Sequence, residues 1–263
     1  MKAWIVFIAF LVIPKDGRSQ AIEKLKEIKI NEPISVSSDR NGNIFLSDRY
    51  GNLNKYSSEG ELELTYSTPQ RGGATLLEAW PTLNVLLFYQ DFQSITVLNR
   101  FLAPIQELNL NDLVGFARLA TFNFQSNIWL IDDSDFMLKL YDRQLGQITI
   151  STPLNLILDQ NDSDISFIRE YQNQLFIADR NNGILIFDNL GNYLKKLPYT
   201  GVNSFTFLGN EMHFLMGKKL LIYNIYSQKE QSVEVPTSNF VLSIDGKLYL
   251  FQKDKFLIYS NSY

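Results

Sequence analysis

Apolar residues in this chain fall in short runs, broken by Gly, Asn and Asp, and the runs recur. Residues 41–64 show the unit. An apolar run at 44–47 ends in Asp48, a turn at Gly51 and Asn52 leads into 53–56, and a turn at 58–60 leads into 61–66. Gly and Asn tolerate positive φ and so mark chain reversals, and the runs between them are strand-length. The central run returns at 85–89, 128–132, 175–179, 212–216 and 248–251. Between first residues the steps are 41, 43, 47, 37 and 36 residues.

Each central run is preceded by another apolar run, at 34–37, 76–80, 119–122, 165–169, 205–208 and 240–243. Each is followed by a third, at 53–56, 95–98, 137–141, 184–187, 220–223 and 256–259. A fourth, alternating run follows at 61–66, 105–110, 147–151, 193–197 and 232–235. Alternation suits an outer strand that packs on one side and meets water on the other. Six copies of a unit of about forty residues predict an all-β fold, a six-bladed β-propeller of four-stranded antiparallel blades. The sixth copy lacks its outer strand, and residues 25–30 can supply it, so the ring is predicted to be closed by the N-terminal strand. The alternative for that segment is a short amphipathic helix, because Ile22, Leu25 and Lys29 also fit a helical spacing.

Composition adds limits. The chain has 263 residues, 13% of them aromatic, enough for one large β domain spanning 20–263. Residues 1–19 stand apart: Lys2, an apolar run at 4–13, then small residues at Gly17 and Ser19. That pattern predicts a secretory signal peptide cleaved after Ser19. The competing membrane anchor is too short, since a span needs about twenty apolar residues. Removing 1–19 leaves 21 basic and 27 acidic side chains, a net charge of −6 against −4 for the whole chain. Such a chain has no general attraction for nucleic acid or anionic lipid. There is no cysteine, so no disulfide framework is available.

Candidate chemistry is sparse. The one histidine, His213, lies inside an apolar run and reads as a packed ring rather than a catalytic base. With one histidine and no cysteine, the usual zinc and copper sites are ruled out, and no cofactor is expected. The turn at Arg71, Gly72 and Gly73 lacks the helix that phosphate-binding loops use. The acidic stretch 159–164 reads as a solvated connection. A calcium loop is the alternative there, but the central Gly and terminal Glu of an EF-hand are missing. The recurrent aspartates Asp48, Asp91, Asp133 and Asp179 are expected to accept hydrogen bonds from the turns they begin.

Turns between second and third strands share one face with the connections between blades. There the sequence places Tyr50, Phe92 and Phe136 at turn tips and Arg71 and Tyr199 in connections. Exposed aromatics and arginine are the residue types of protein-interface anchors. The alternative is that each ring folds back onto its own blade.

The segments starting at Asp48, Asp133 and Asp179 share a further pattern, with an apolar residue five positions on and an aromatic eight positions on. This pattern resembles NHL-type six-bladed propellers, of the NHL-like or TolB-like kind, over essentially all of 21–263. The fold hosts enzymes, receptors and scaffolds alike. Lactonase-like members hold a divalent cation at the central channel, and the resemblance then implies Glu78, Arg118, Asp164, Asn203 and Asn239 as channel-mouth candidates. The other expectation is a non-enzymatic, exported scaffold in the periplasm or at the outer membrane. Analogy with similar propellers makes its partner a protein of an outer-membrane or secretion assembly.

Overall fold

A computed structural model describes residues 22–68, 72–80 and 83–260; the expected signal peptide and Arg71 lie outside the described residues. The chain forms strands β1 (Glu23–Lys29) to β24 (Lys255–Ser260), and they group into six antiparallel sheets of four. The predicted six-bladed propeller is therefore the observed fold.

Blade 1 consists of β2 (Pro33–Ser38), β3 (Ile44–Asp48), β4 (Asn52–Tyr56) and β5 (Leu62–Ser67). Blade 2 consists of β6 (Leu76–Glu78), β7 (Val85–Tyr89), β8 (Ser94–Leu98) and β9 (Pro104–Asn109). Blade 3 consists of β10 (Ala117–Phe122), β11 (Ile128–Asp132), β12 (Met137–Asp142) and β13 (Gln147–Pro153). Blade 4 consists of β14 (Ile165–Tyr171), β15 (Gln174–Asp179), β16 (Gly183–Asp188) and β17 (Tyr193–Leu197). Blade 5 consists of β18 (Phe205–Leu208), β19 (Glu211–Met216), β20 (Lys219–Asn224) and β21 (Glu230–Glu234). Blade 6 takes β22 (Phe240–Ile244), β23 (Lys247–Phe251) and β24 from the C-terminal end and β1 from the other.

Burial follows strand position. Second strands such as β7 and β11 are buried at every residue, which is why they read as unbroken apolar runs. Outer strands such as β5 and β9 lie largely exposed and carry the polar residues. The core lies between blades, with Trp129, Phe176, Phe187 and Phe214 among its largest fully buried side chains.

The closing strand is a strand and not a helix. β1 pairs antiparallel with β24 in the register Glu27–Leu257, Ile28–Phe256 and Lys29–Lys255. Ile28 packs on a cluster that contains Tyr249, Phe251, Phe256 and Ile258. The third turn of blade 1 clasps this joint. Tyr249 Oη donates to Ser58 O at 3.0 Å, and Lys26 Nζ donates to Glu59 O at 2.9 Å. Gly60, at φ +75°, sits where a Cβ would come within 2.7 Å of Ile28 Cδ1, so only glycine lets the turn lie this close.

Candidate functional site

The first strands β2, β6, β10, β14, β18 and β22 line the axis, and at mid-depth it is filled. Glu78 and Arg169 are only 1% and 4% exposed and form an ion pair, Arg169 Nε to Glu78 Oε2, at 2.7 Å. Glu78 Oε1 accepts from Ser37 Oγ at 3.1 Å and from Trp80 N at 2.9 Å, while Oε2 also accepts from Thr121 Oγ1 at 3.4 Å. Arg169 Nη2 donates to Ser37 Oγ at 3.2 Å, and Nη1 reaches Phe205 O at 3.5 Å. Buried charges persist only when paired and hydrogen-bonded, and both conditions hold here. The pair joins the inner strands of blades 1 to 5, and aromatic rings cap it at both ends. Phe167 and Phe205 meet edge to face at 4.9 Å, with the Arg169 guanidinium 5.2 Å from the Phe167 centroid. Tyr171 stacks on Phe207 at 4.2 Å, and Trp80 lies 6.0 Å from Tyr171.

On the connection face the axis opens into a bowl of about 390 Å³, bordered by Ile34, Thr75, Arg180, Asn203, Ser204 and Asn239. Arg180 organises its wall, donating from Nε to Asn203 Oδ1 at 2.7 Å and from Nη1 to Asp164 Oδ1 at 2.9 Å. The channel-mouth candidates therefore do not converge as a set. Asp164 and Asn203 meet at Arg180, and Asn239 borders the same bowl. Glu78 ends β6 at the hub, because its carboxylate is drawn to Arg169. Arg118 lies apart, its Nε bonded to both oxygens of Asp133 at 2.8 Å. Each carboxylate of the set faces a guanidinium, and no group of three or more His, Cys, Asp or Glu among the described residues is placed to share a cation. In the acidic stretch Asp159 serves its own turn, Oδ1 accepting from Asn161 N at 3.0 Å.

The turn-tip candidates divide as well. Tyr50 and Phe92 are exposed. Phe136 is not a surface anchor: it is 3% exposed, and its backbone at φ +52° turns the ring into the core. Tyr199 folds back too. Its ring packs on Phe214 and Tyr223 at 5.0 and 5.8 Å, and its hydroxyl donates to Glu230 Oε2 at 2.6 Å. Burial, with Glu230 beside it, raises the Tyr199 pKa well above its ordinary value. Among the recurrent aspartates, Asp48 and Asp179 accept from their own turns as expected, for example from Tyr50 N and Asn181 N, both at 2.9 Å. In blade 3 that role passes to Asp132, which accepts from Ser134 N at 3.0 Å, while Asp133 serves Arg118. In blade 2 the corresponding position at the end of β7 is Tyr89, and Asp91 lies exposed in the turn.

The opposite, far face holds a set that sequence reasoning missed. Around this mouth stand Trp80, Tyr171, Phe124 and Tyr226, the last two 64% and 62% exposed, with Arg40 5.5 Å from the Trp80 ring. Tyr226 Oη donates to Gln172 Oε1 at 2.7 Å, and Tyr171 Oη to Gly209 O at 2.8 Å. Buried Glu170 fixes the turn that presents Phe124, accepting from Phe124 N at 2.9 Å and Trp129 Nε1 at 2.7 Å. A recess of about 250 Å³ lies among Arg40, Trp80, Phe124, Glu170 and Tyr171. The available signal was an aromatic residue inside a short polar turn, as in 123–127. His213 belongs to neither mouth. It is fully buried, and Nδ1 lies 2.7 Å from Ser243 Oγ. Burial lowers its pKa despite the opposing influence of Glu211.

No protein-family model matches the chain, and no curated protein matches it by sequence. Solved structures match by shape. The WD40 domain of Neurospora crassa Pan2 superposes with a TM-score of 0.63 at 9% identity, over 93% of this chain and 97% of that one. Virginiamycin B lyase from Staphylococcus aureus gives 0.61 at 14% identity, over 89% and 99%. BamB from Moraxella catarrhalis gives 0.55 at 10% identity, over 91% and 100%. At such identities the likeness establishes the propeller fold and no family within it.

Proposed function

We propose that this chain is an exported, non-enzymatic propeller that binds another protein through its far face, as an accessory subunit of an outer-membrane or secretion assembly. The observation that carries the reading is the cluster of Trp80, Phe124, Tyr171 and Tyr226 with Arg40 around one mouth. Trp, Tyr and Arg are the types that dominate interface energetics, and a soluble surface rarely gathers them without use. Export rests on the sequence of residues 1–19. Among the described residues no helix is long and apolar enough to cross a membrane.

Site-specific photo-crosslinking in the cell of origin tests this. A photoreactive phenylalanine at Phe124 or Tyr226 should trap one discrete protein, and the same probe at Tyr50 or Phe92 should not. Trapping only from Tyr50 and Phe92 would return the interface to the connection face.

A second reading has its own observation, the bowl of about 390 Å³ on the connection face. Its hydroxyl, amide and guanidinium lining with phenylalanine walls suits a small polar ligand. A lyase among the similar folds shows that this architecture can carry an enzyme. Loss of a bound small molecule on Arg180→Ala, without loss of protein crosslinks, would favour it.

A further inference from the structure

We infer that the groove between blades 1 and 2 takes an extended, acidic segment of the partner protein. This inference rests on the protein-binding reading and names what that face would recognise.

The groove exists because β6 stops after three residues. Glu78 turns inward to Arg169, its Oε1 holds Trp80 N at 2.9 Å, and the chain leaves the sheet there. A cleft of about 710 Å³ remains between the blades. Its floor is apolar, made by Phe45, Ala79 and Val85, all buried. Its rim carries Leu83, 78% exposed, and exposed Phe101.

The charges on the rim are of one effective sign. Asp39 is committed to its own turn, Oδ1 accepting from Asn41 N and Asn43 N and Oδ2 from Asn43 Nδ2, at 2.8–2.9 Å. Lys55 pairs with Glu63 at 2.8 Å. Arg40 and Arg100 are exposed, and among the described residues neither is in an ion pair. Each guanidinium instead lies against a ring, Arg40 5.5 Å from Trp80 and Arg100 4.7 Å from Phe101. Stacking orients a guanidinium and leaves its edge N–H groups free to grip a carboxylate. In a chain of net charge −4 this is a basic site on an acidic surface.

Arg40 also borders the recess beside Trp80, so groove and recess are neighbours on the same face. A groove between two blades, with one arginine from each, fits an extended backbone that sets carboxylates on the arginines and large apolar side chains on the floor. Nucleic acid fits less well. Phosphate-driven binding draws on many cations, and two free arginines on an acidic chain supply few.

The test uses the full chain and a fluorescent ten-residue peptide that alternates glutamate with leucine and phenylalanine, read by anisotropy. The acidic peptide should bind saturably and more weakly as salt rises, and its lysine counterpart should not bind. Reversing both charges, Arg40→Glu with Arg100→Glu, should weaken binding at least about tenfold, which is about 1.4 kcal/mol. The exposed Lys196→Glu change on an outer strand should leave binding intact, and unchanged melting and circular dichroism would show the reversed variant folded. Equal binding of the lysine peptide, preference for an oligothymidine, no saturable binding, or indifference to the double reversal would overturn the groove assignment. Crosslinks from Phe124 that survive in the double reversal sink the groove alone. Their absence in the unaltered protein sinks the far-face reading with it.

Discussion

The two mouths of the channel use the same residue types in opposite ways. On the connection face the arginine is satisfied: Arg180 spends its donors on Asp164 and Asn203. On the far face Arg40 and Arg100 have only aromatic rings beneath them. A guanidinium already matched to a carboxylate has little left to offer a partner, whereas one stacked on a ring keeps its donors. Between the two mouths Arg169 and Glu78 form a closed bulkhead. The guanidinium groups of Arg40 and Arg100, stacked on rings without an ion pair among the described residues, therefore lie on one face, and counting charged residues at each end would miss the difference.

The contrast breaks most severely at the bulkhead. Arg169→Ala should cost about 3–5 kcal/mol, because it strands the buried Glu78 carboxylate. Urea unfolding should show it, and replacing Glu78 as well with an apolar residue should recover much of the loss. On the far face, Trp80→Ala should weaken partner binding by about 2 kcal/mol, seen in calorimetry with the trapped protein once it is purified. The equivalent change at Phe92 should do little.

Acid should loosen the join between blades 5 and 6. The folded His213 has its pKa below the ordinary 6.5, so the unfolded chain takes up the proton first as pH falls. Its contribution is whole above about pH 6.5 and is lost as pH drops through the lower, folded value. Urea midpoints at about pH 7.5 and pH 5.5 should differ more in the parent than in His213→Gln. The smallest effect belongs to Arg180→Ala. Its ion pair with Asp164 is about 40% exposed on each side, and such pairs contribute within about 1 kcal/mol.

The frame was legible because period and burial reinforce one another. Runs such as 85–89 are apolar throughout since both faces of β7 are covered, and the missing sixth outer strand could be found by counting. The site was less legible. Arg169 and Glu78 are 91 positions apart and meet only because the inner strands of blades 2 and 4 both line the axis. Phe136 sits in a turn like that of Phe92, and what hides it is a positive φ that its residue type does not announce. Neighbouring Asp132 and Asp133 divide the turn and the ion pair between them, a choice settled by strand register. The far-face aromatics carry no repeated marker: Trp80, Phe124, Tyr171 and Tyr226 come one from each of blades 2 to 5, in segments that share no residue pattern.

The closing strand has a consequence for how the molecule is made. Synthesis proceeds from the N-terminus, so β1 emerges before every other strand of the ring, yet its sheet partner, β24, emerges after all of them. Until β24 is made β1 has no sheet partner, and a ring that lacks β24 leaves β23 with a bare edge. Closure of the ring is thereby tied to synthesis of its last strand, and copies that stop short of β24 carry an unpaired strand.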